Sequence, residues 1–239
     1  MLIKETMNII LFQKQNLDSE DCVWLDAQSS FHAKKQLKVS LGDTLKAGII
    51  NGPSGDAEVV EIGKEKIRVS FKPGETKVIP SPWVAAVALP RPKTLGKKVQ
   101  TLVELGVKQI IFFDCTHVDK SYWTSEWLSV DRLAPYIRRG LEQACDTHWP
   151  LVMYFRSYKR FIAVDWSVWF SSMPVFVAHP SLKSDWPLPS EPSVGVIGPE
   201  RGFTNSELQD FKRLGAEVRG FGARVLSTEI ATTQAFRLG

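Results

Sequence analysis

A chain of 239 residues with 44% apolar and 23% charged residues can bury a sizeable core, so neither a disordered segment nor a fibrous repeat fits it. The base excess is small, 30 against 26, and a pI near 8.9 leaves RNA binding open without demanding it. No apolar run reaches membrane-spanning length. Cys22, Cys115 and Cys145 stand far apart with no CxxC pair, so they read as reduced thiols of a cytosolic (cytoplasmic) protein, and with the dispersed histidines they give no metal site.

Residues 8–72 read as short strands divided by turns: Asn8 to Phe12, Val23 to Leu25, Thr44 to Ile50, Ala57 to Ile62 and Lys66 to Phe71. Asn51-Gly52-Pro53-Ser54-Gly55-Asp56 and Gly63-Lys64 are turn clusters, and the pattern predicts a small β-barrel. Phe31 to Val39 is the exception, a short, basic, helix-like stretch. His32, Lys34, Lys35 and Lys38 in it are candidates for tracking an RNA backbone by charge neutralisation, with a solvated helix face as the equal alternative. Pro73 to Pro82 is polar and Pro-rich, which divides the chain into domains at 1–75 and 76–239.

The second region opens with a strand, Val84 to Leu89, followed by Arg91-Pro92-Lys93. Leu95, Val99, Leu102 and Leu105 share one helix face, Gly106 stops that helix, and Val107 to Phe113 is the next strand. This β-α-β order predicts an α/β domain on a parallel sheet. A helix runs from about Ser129 to Cys145. His117 and His148 are acid–base candidates by residue type but read as ordinary surface or packing residues, and the tryptophans between Trp123 and Trp169 read mainly as core or interface material. Met173 to Ala178 is a strand leading into His179-Pro180-Ser181.

The last 40 or so residues carry the chemistry. The buried strand 194–197 enters Gly198-Pro199-Glu200-Arg201-Gly202-Phe203, where two glycines and a proline stop any regular element. Thr204 and Glu207 form a capping box opening a helix that stops at Gly215. The strand Glu217 to Phe221 then enters a second glycine turn, 222–229, before a last helix. Loops on adjacent strand ends would lie side by side at the carboxyl edge of the sheet, where α/β folds bind ligands. Neither is a phosphate cradle. Their exposed backbone groups suit a neutral, planar, hydrogen-bonding ligand such as adenine.

Ile197-Gly198-Pro199-Glu200-Arg201-Gly202-Phe203-Thr204 resembles the IGPEGGFT motif of the 16S ribosomal RNA uracil-N3 methyltransferases of the SPOUT superfamily. Phe221 to Ala231 resembles their LGxRILRTETA motif, Arg91-Pro92-Lys93 their RPK and Glu104-Leu105-Gly106-Val107 their ELGV. The resemblance implies a PUA-like RNA-binding domain followed by an α/β domain with a deep trefoil knot, a homodimer, and S-adenosylmethionine as methyl donor. It implies cofactor contacts at Ala178, His179, Gly198, Pro199, Glu200, Gly202, Phe221, Gly222, Val225, Leu226 and Thr228, and an RNA contact at Lys93. Arg224 and Arg201 are the candidate catalytic cations, while Glu200 and Glu229 are expected to orient loops. The expected product is N3-methyluridine in 16S ribosomal RNA of the small subunit. Departures are a serine at 227 in place of the motif's second arginine, Arg201 in place of a glycine, and no arginine in Asn8-Ile9-Ile10. Arg201 is expected to replace the cation lost at Ser227. The same chemistry on another RNA such as a tRNA, or a knotted RNA-binding or assembly protein without catalysis, are the alternatives.

Overall fold

The computed structural model describes residues 8–74 and 81–237, so the predicted boundary at 75/76 lies outside the described residues. Two compact units are drawn from residues 1–79 with 138–149, and from 80–137 with 150–239.

The first unit holds β1 (Ile10–Phe12), β2 (Cys22–Trp24), α1 (Ala27–Lys35), β3 (Thr44–Ile49), β4 (Ser54–Ile62) and β5 (Ile67–Pro73). They pair in the order β1-β3-β4-β5-β2, with β1 parallel to β3 and the other neighbours antiparallel. Alternate residues of these strands form the core face: Leu45 and Ala47, Ala57 and Val59, and Ile67, Val69 and Phe71 are all buried. Helix α1 starts earlier than its basic stretch implied, because Asp26 caps it by accepting from Ser29 N at 2.8 Å. The unit is not continuous in sequence. Residues 138–149 join it through Arg138, which pairs with Asp26 at 2.6 Å and Glu142 at 2.8 Å and donates to Leu11 O at 2.8 Å. Thr147 seals the β3–β4 turn, its hydroxyl donating to Gly52 O at 2.7 Å and its carbonyl accepting from Asn51 N.

The second unit runs through β6 (Trp83–Ala88), α2 (Pro92–Glu104), β7 (Gln109–Phe113) and α3 (Val130–Ala144), whose last turns belong to the first unit. It continues with β8 (Leu151–Phe155), α4 (Tyr158–Arg160), a π-helical turn Phe161–Asp165, α5 (Trp166–Phe170), β9 (Val175–Ala178) and β10 (Ser181–Ser184). Then come β11 (Ser193–Ile197), α6 (Asn205–Arg213), β12 (Glu217–Arg219), β13 (Phe221–Gly222) and α7 (Thr228–Ala235). Six strands form an all-parallel sheet in the order β12-β9-β11-β6-β7-β8. Parallel sheets are covered on both faces. Accordingly β6 and β11 are buried at every residue. The first helix begins at Pro92, where a missing N–H costs nothing.

Glycine at 195 in mid-strand has a packing reason. A Cβ there would stand 2.6 Å from the ring of Phe236, which is fully buried and also meets Trp83 edge-on at 5.8 Å. Gly195→Ala is expected to cost about 1–3 kcal/mol through overpacking, read as a fall of several degrees in Tm by thermal denaturation. An unchanged Tm would contradict the seating of Phe236 on β11.

Candidate functional site

The two glycine loops leave β11 and β12. These strands are not neighbours, as the sequence reading had them; both flank β9. The consequence is that the loop after β9 lies between the other two. Three loops from three contiguous parallel strand ends line one cleft of about 250 Å³. Ala178 and His179 line it from the first loop, and Gly198, Pro199, Glu200, Arg201 and Gly202 from the second. Phe221, Gly222, Arg224, Val225, Leu226 and Thr228 line it from the third. The residues the sequence named there as cofactor contacts or catalytic cations all line this cleft, whereas Ser227 and Glu229 do not. The basic residues named for RNA lie elsewhere. His32, Lys34, Lys35 and Lys38 are in or just after α1 of the first unit, where Lys34 Nζ already donates to the carbonyls of Gly63 (2.7 Å) and Lys64 (3.0 Å). Lys93 is exposed on the first turn of α2.

Local chemistry explains the loop shapes. Gly202 (φ 72°) and Gly222 (φ 102°) adopt backbone conformations that side chains resist. Gly198 leaves room for Phe203, whose ring atoms would lie 3.1–3.3 Å from an added Cβ. Phe203 in turn packs edge-on against Phe211 of α6 at 5.0 Å. Behind the third loop, β13 pairs antiparallel with β10, and Trp186 packs on Phe221 at 4.8 Å while its indole donates to Ala235 O at 2.9 Å.

The second loop is tied down by a buried carboxylate. Glu207, 2% exposed, accepts from Thr204 N at 2.7 Å, Thr204 Oγ1 at 2.9 Å and Thr116 N at 2.7 Å. Burial is the largest single influence on its pKa and would raise it. The hydrogen bonds from Thr116 and Thr204 together outweigh that effect and hold the carboxyl below its ordinary value. His117, next to Thr116, places Nδ1 2.8 Å from Gly202 O. A carbonyl only accepts, so Nδ1 carries the proton. The other histidine considered, His148, belongs to the first unit and places Nδ1 3.1 Å from Asp146 Oδ1.

Two features of the third loop escaped the sequence reading. Ser227 does not line the cleft; it caps α7, accepting from Ile230 N at 3.4 Å. Lys98 is 5% exposed and donates to Thr228 O and Thr232 Oγ1, both at 3.0 Å, a cation one hydrogen bond behind the cleft wall. Burial lowers its pKa, with Glu229 and Glu200 acting in opposition. Its signal was available: residue 98 is three on from Leu95 and four before Leu102, on the apolar face of α2.

The cleft suits a ligand carrying an aromatic heterocycle and charges of both signs. Ile197, Phe221, Val225 and Leu226 give apolar walls, Arg201, Arg224 and Glu200 are the arginines and the one carboxylate in the lining, and His179 Nδ1 is buried with no partner among the described residues.

Residues 78–238 match the RNA methyltransferase domain family. Over 237 residues the chain is 30% identical to ribosomal RNA small subunit methyltransferase E of Treponema pallidum, covering 96% of this chain and 89% of that one. It is similar in structure to ribosomal RNA small subunit methyltransferase E of Neisseria gonorrhoeae bound to S-adenosyl methionine, with 20% identity, a TM-score of 0.75, and 97% and 95% of the two chains covered. It is likewise similar to a methyltransferase of Legionella pneumophila in complex with its bound cofactor SAM, with 20% identity, a TM-score of 0.68, and 95% of each chain covered. No described helix is long and apolar enough to cross a membrane.

The carboxyl of Glu207 is held low only in the folded chain. Its contribution is therefore fully present above the unfolded value of about 4.3 and is lost as pH falls through the lower folded value. Glu207→Gln is expected to cost about 1–3 kcal/mol at neutral pH and to flatten the stability profile below that value. Denaturant melts across pH check both, and a variant as acid-sensitive as the parent would contradict the assignment.

Proposed function

The chain belongs to the RNA methyltransferase family, among the ribosomal RNA small subunit methyltransferases E, and on that footing we propose that it methylates N3 of a uridine in 16S ribosomal RNA using S-adenosylmethionine. The observation that carries the reading is the convergence of the three loops on one cleft. The Neisseria relative's bound S-adenosyl methionine supports it.

Backbone groups of the loops at 178–179, 198–202 and 221–228 hold the adenosine part, and Gly202 and Gly222 admit close approach of the ligand. When bound, the cofactor supplies an electrophilic methyl on a sulfonium, for which Glu200 is the nearby counter-charge. Loss of the N3 proton leaves negative charge on the uracil imide oxygens. Arg224 and Arg201 steady that charge, an effect that is largest in a partly dehydrated site. The positive end of α7 and the buried ammonium of Lys98 add to the same potential. Holding the base in line with the methyl group supplies much of the remaining rate.

The same proposal includes a PUA-like role for the first unit, the trefoil knot and a homodimer. Val225 in the third loop and Ile230 in the first turn of α7, 82% and 52% exposed, are apolar surface that a second copy would cover.

Two outcomes are expected. Gly198→Val and Gly222→Val should each weaken cofactor binding at least tenfold by calorimetry, the first by displacing Phe203 and the second by backbone strain; undiminished affinity in both would sink the cofactor assignment. Arg201→Gly should slow single-turnover methyl transfer to small-subunit RNA roughly tenfold, the worth of one charge-assisted hydrogen bond. Ser227→Arg should partly restore that rate at the expense of the α7 cap, and an Arg201→Gly variant as fast as the parent would contradict the role of Arg201.

A further inference from the structure

We infer that unpaired RNA flanking the target base runs along the amino-terminal half of α2 and seats a base in the groove between α2 and the turns Lys120–Thr124 and Glu126–Leu128, an inference that rests on the chain acting on RNA. This groove, about 760 Å³, is distinct from the cleft, and Arg91, Lys93, Tyr122 and Trp127 are among the residues lining it.

Topology places it at the same sheet edge. Arg91 and Tyr122 follow the carboxyl ends of β6 and β7, and β6 lies directly beside β11, with Ile197 in register with Val87. The same helix also borders the α7 side of the site, since a second groove is lined by Lys93 and Lys97 together with Glu229.

Charge fits a polyanion. Arg91 is the N-cap of α2, and Lys93 and Lys97 are one turn apart behind it. All three are exposed, and none makes a side-chain ion pair or hydrogen bond among the described residues. They surround the positive end of a 13-residue helix. The groove's one carboxylate, Glu126, is neutralised by Arg132 at 2.8 Å, and that guanidinium also lies 5.8 Å from the Trp127 ring centroid. Tyr136 abuts the same indole at 6.3 Å, so Trp127 is held in place. Fixed aromatics beside unpaired cations accept stacked bases of single strands, whereas duplex RNA is read by shape across its minor groove.

The test uses the full chain and a fluorescent, unpaired, uridine-rich RNA of about 12 nucleotides, with a hairpin of the same composition. Combining Arg91→Gln, Lys93→Gln and Lys97→Gln should lower the slope of log affinity against log salt by about two, three cations at roughly 0.7 each. Trp127→Leu should weaken binding about 5- to 100-fold with the slope kept, and the hairpin should bind more weakly than the single strand. Calorimetric affinity for S-adenosylmethionine should not change in either variant. Unchanged slope and RNA affinity in both variants, with cofactor binding and methyl transfer intact, overturn this inference alone. So does a change in association state by light scattering without a change in RNA binding, which would mean a second copy fills the groove. A parent chain that binds neither cofactor nor RNA overturns the proposed function together with it. The three cations are exposed, so the triple variant decides the matter even if Trp127→Leu unfolds.

Discussion

The buried carboxylate of Glu207 is the constraint on which the cleft depends. One side chain completes the capping box of α6 by accepting from Thr204, its N-cap at the end of the second loop, and takes the Thr116 amide from the turn after β7. Left without those donors, a carboxylate at 2% exposure would carry a desolvation cost that nothing nearby could offset. The carboxylate and its donors therefore form together, and forming them brings the β7 and β11 loops into one arrangement. His117 strengthens the same joint through the carbonyl of Gly202.

Much of the site was legible because its information is local. Gly198, Gly202 and Gly222 mark turns whatever surrounds them, the Thr204–Glu207 capping box is a spacing rule, and the apolar runs of β6 and β11 follow from burial on both faces. What escaped is non-local. The order β12-β9-β11 puts the two glycine loops either side of β9, and no spacing in the chain reveals that order. Strand β10 pairs with only the two residues of β13 and has no run of its own to signal it. Residues 138–149 continue a helix begun in the second unit, yet they close the first through Arg138 and Thr147, because ion pairs and turn hydrogen bonds form between residues far apart in sequence.

The two departures from the family motif take different places in the structure. Arg201 lines the cleft, as Arg224 does, and Ser227 is a helix cap. Lys98 adds a buried cation at the α7 turn, reached from the sheet's first helix and not from the loop itself. Positive charge around the cleft thus has three sources on different elements. For a reaction that leaves an anion on a base, the position of that charge matters more than which residue bears it.

The most direct measurement is the mass of methylated nucleosides released from 16S ribosomal RNA of cells lacking this chain and of the same cells with it restored. Loss of N3-methyluridine on deletion and its return on restoration is the expected result. An unchanged N3-methyluridine content, or loss of a methylated nucleoside from transfer RNA only, would contradict the assignment of substrate and position.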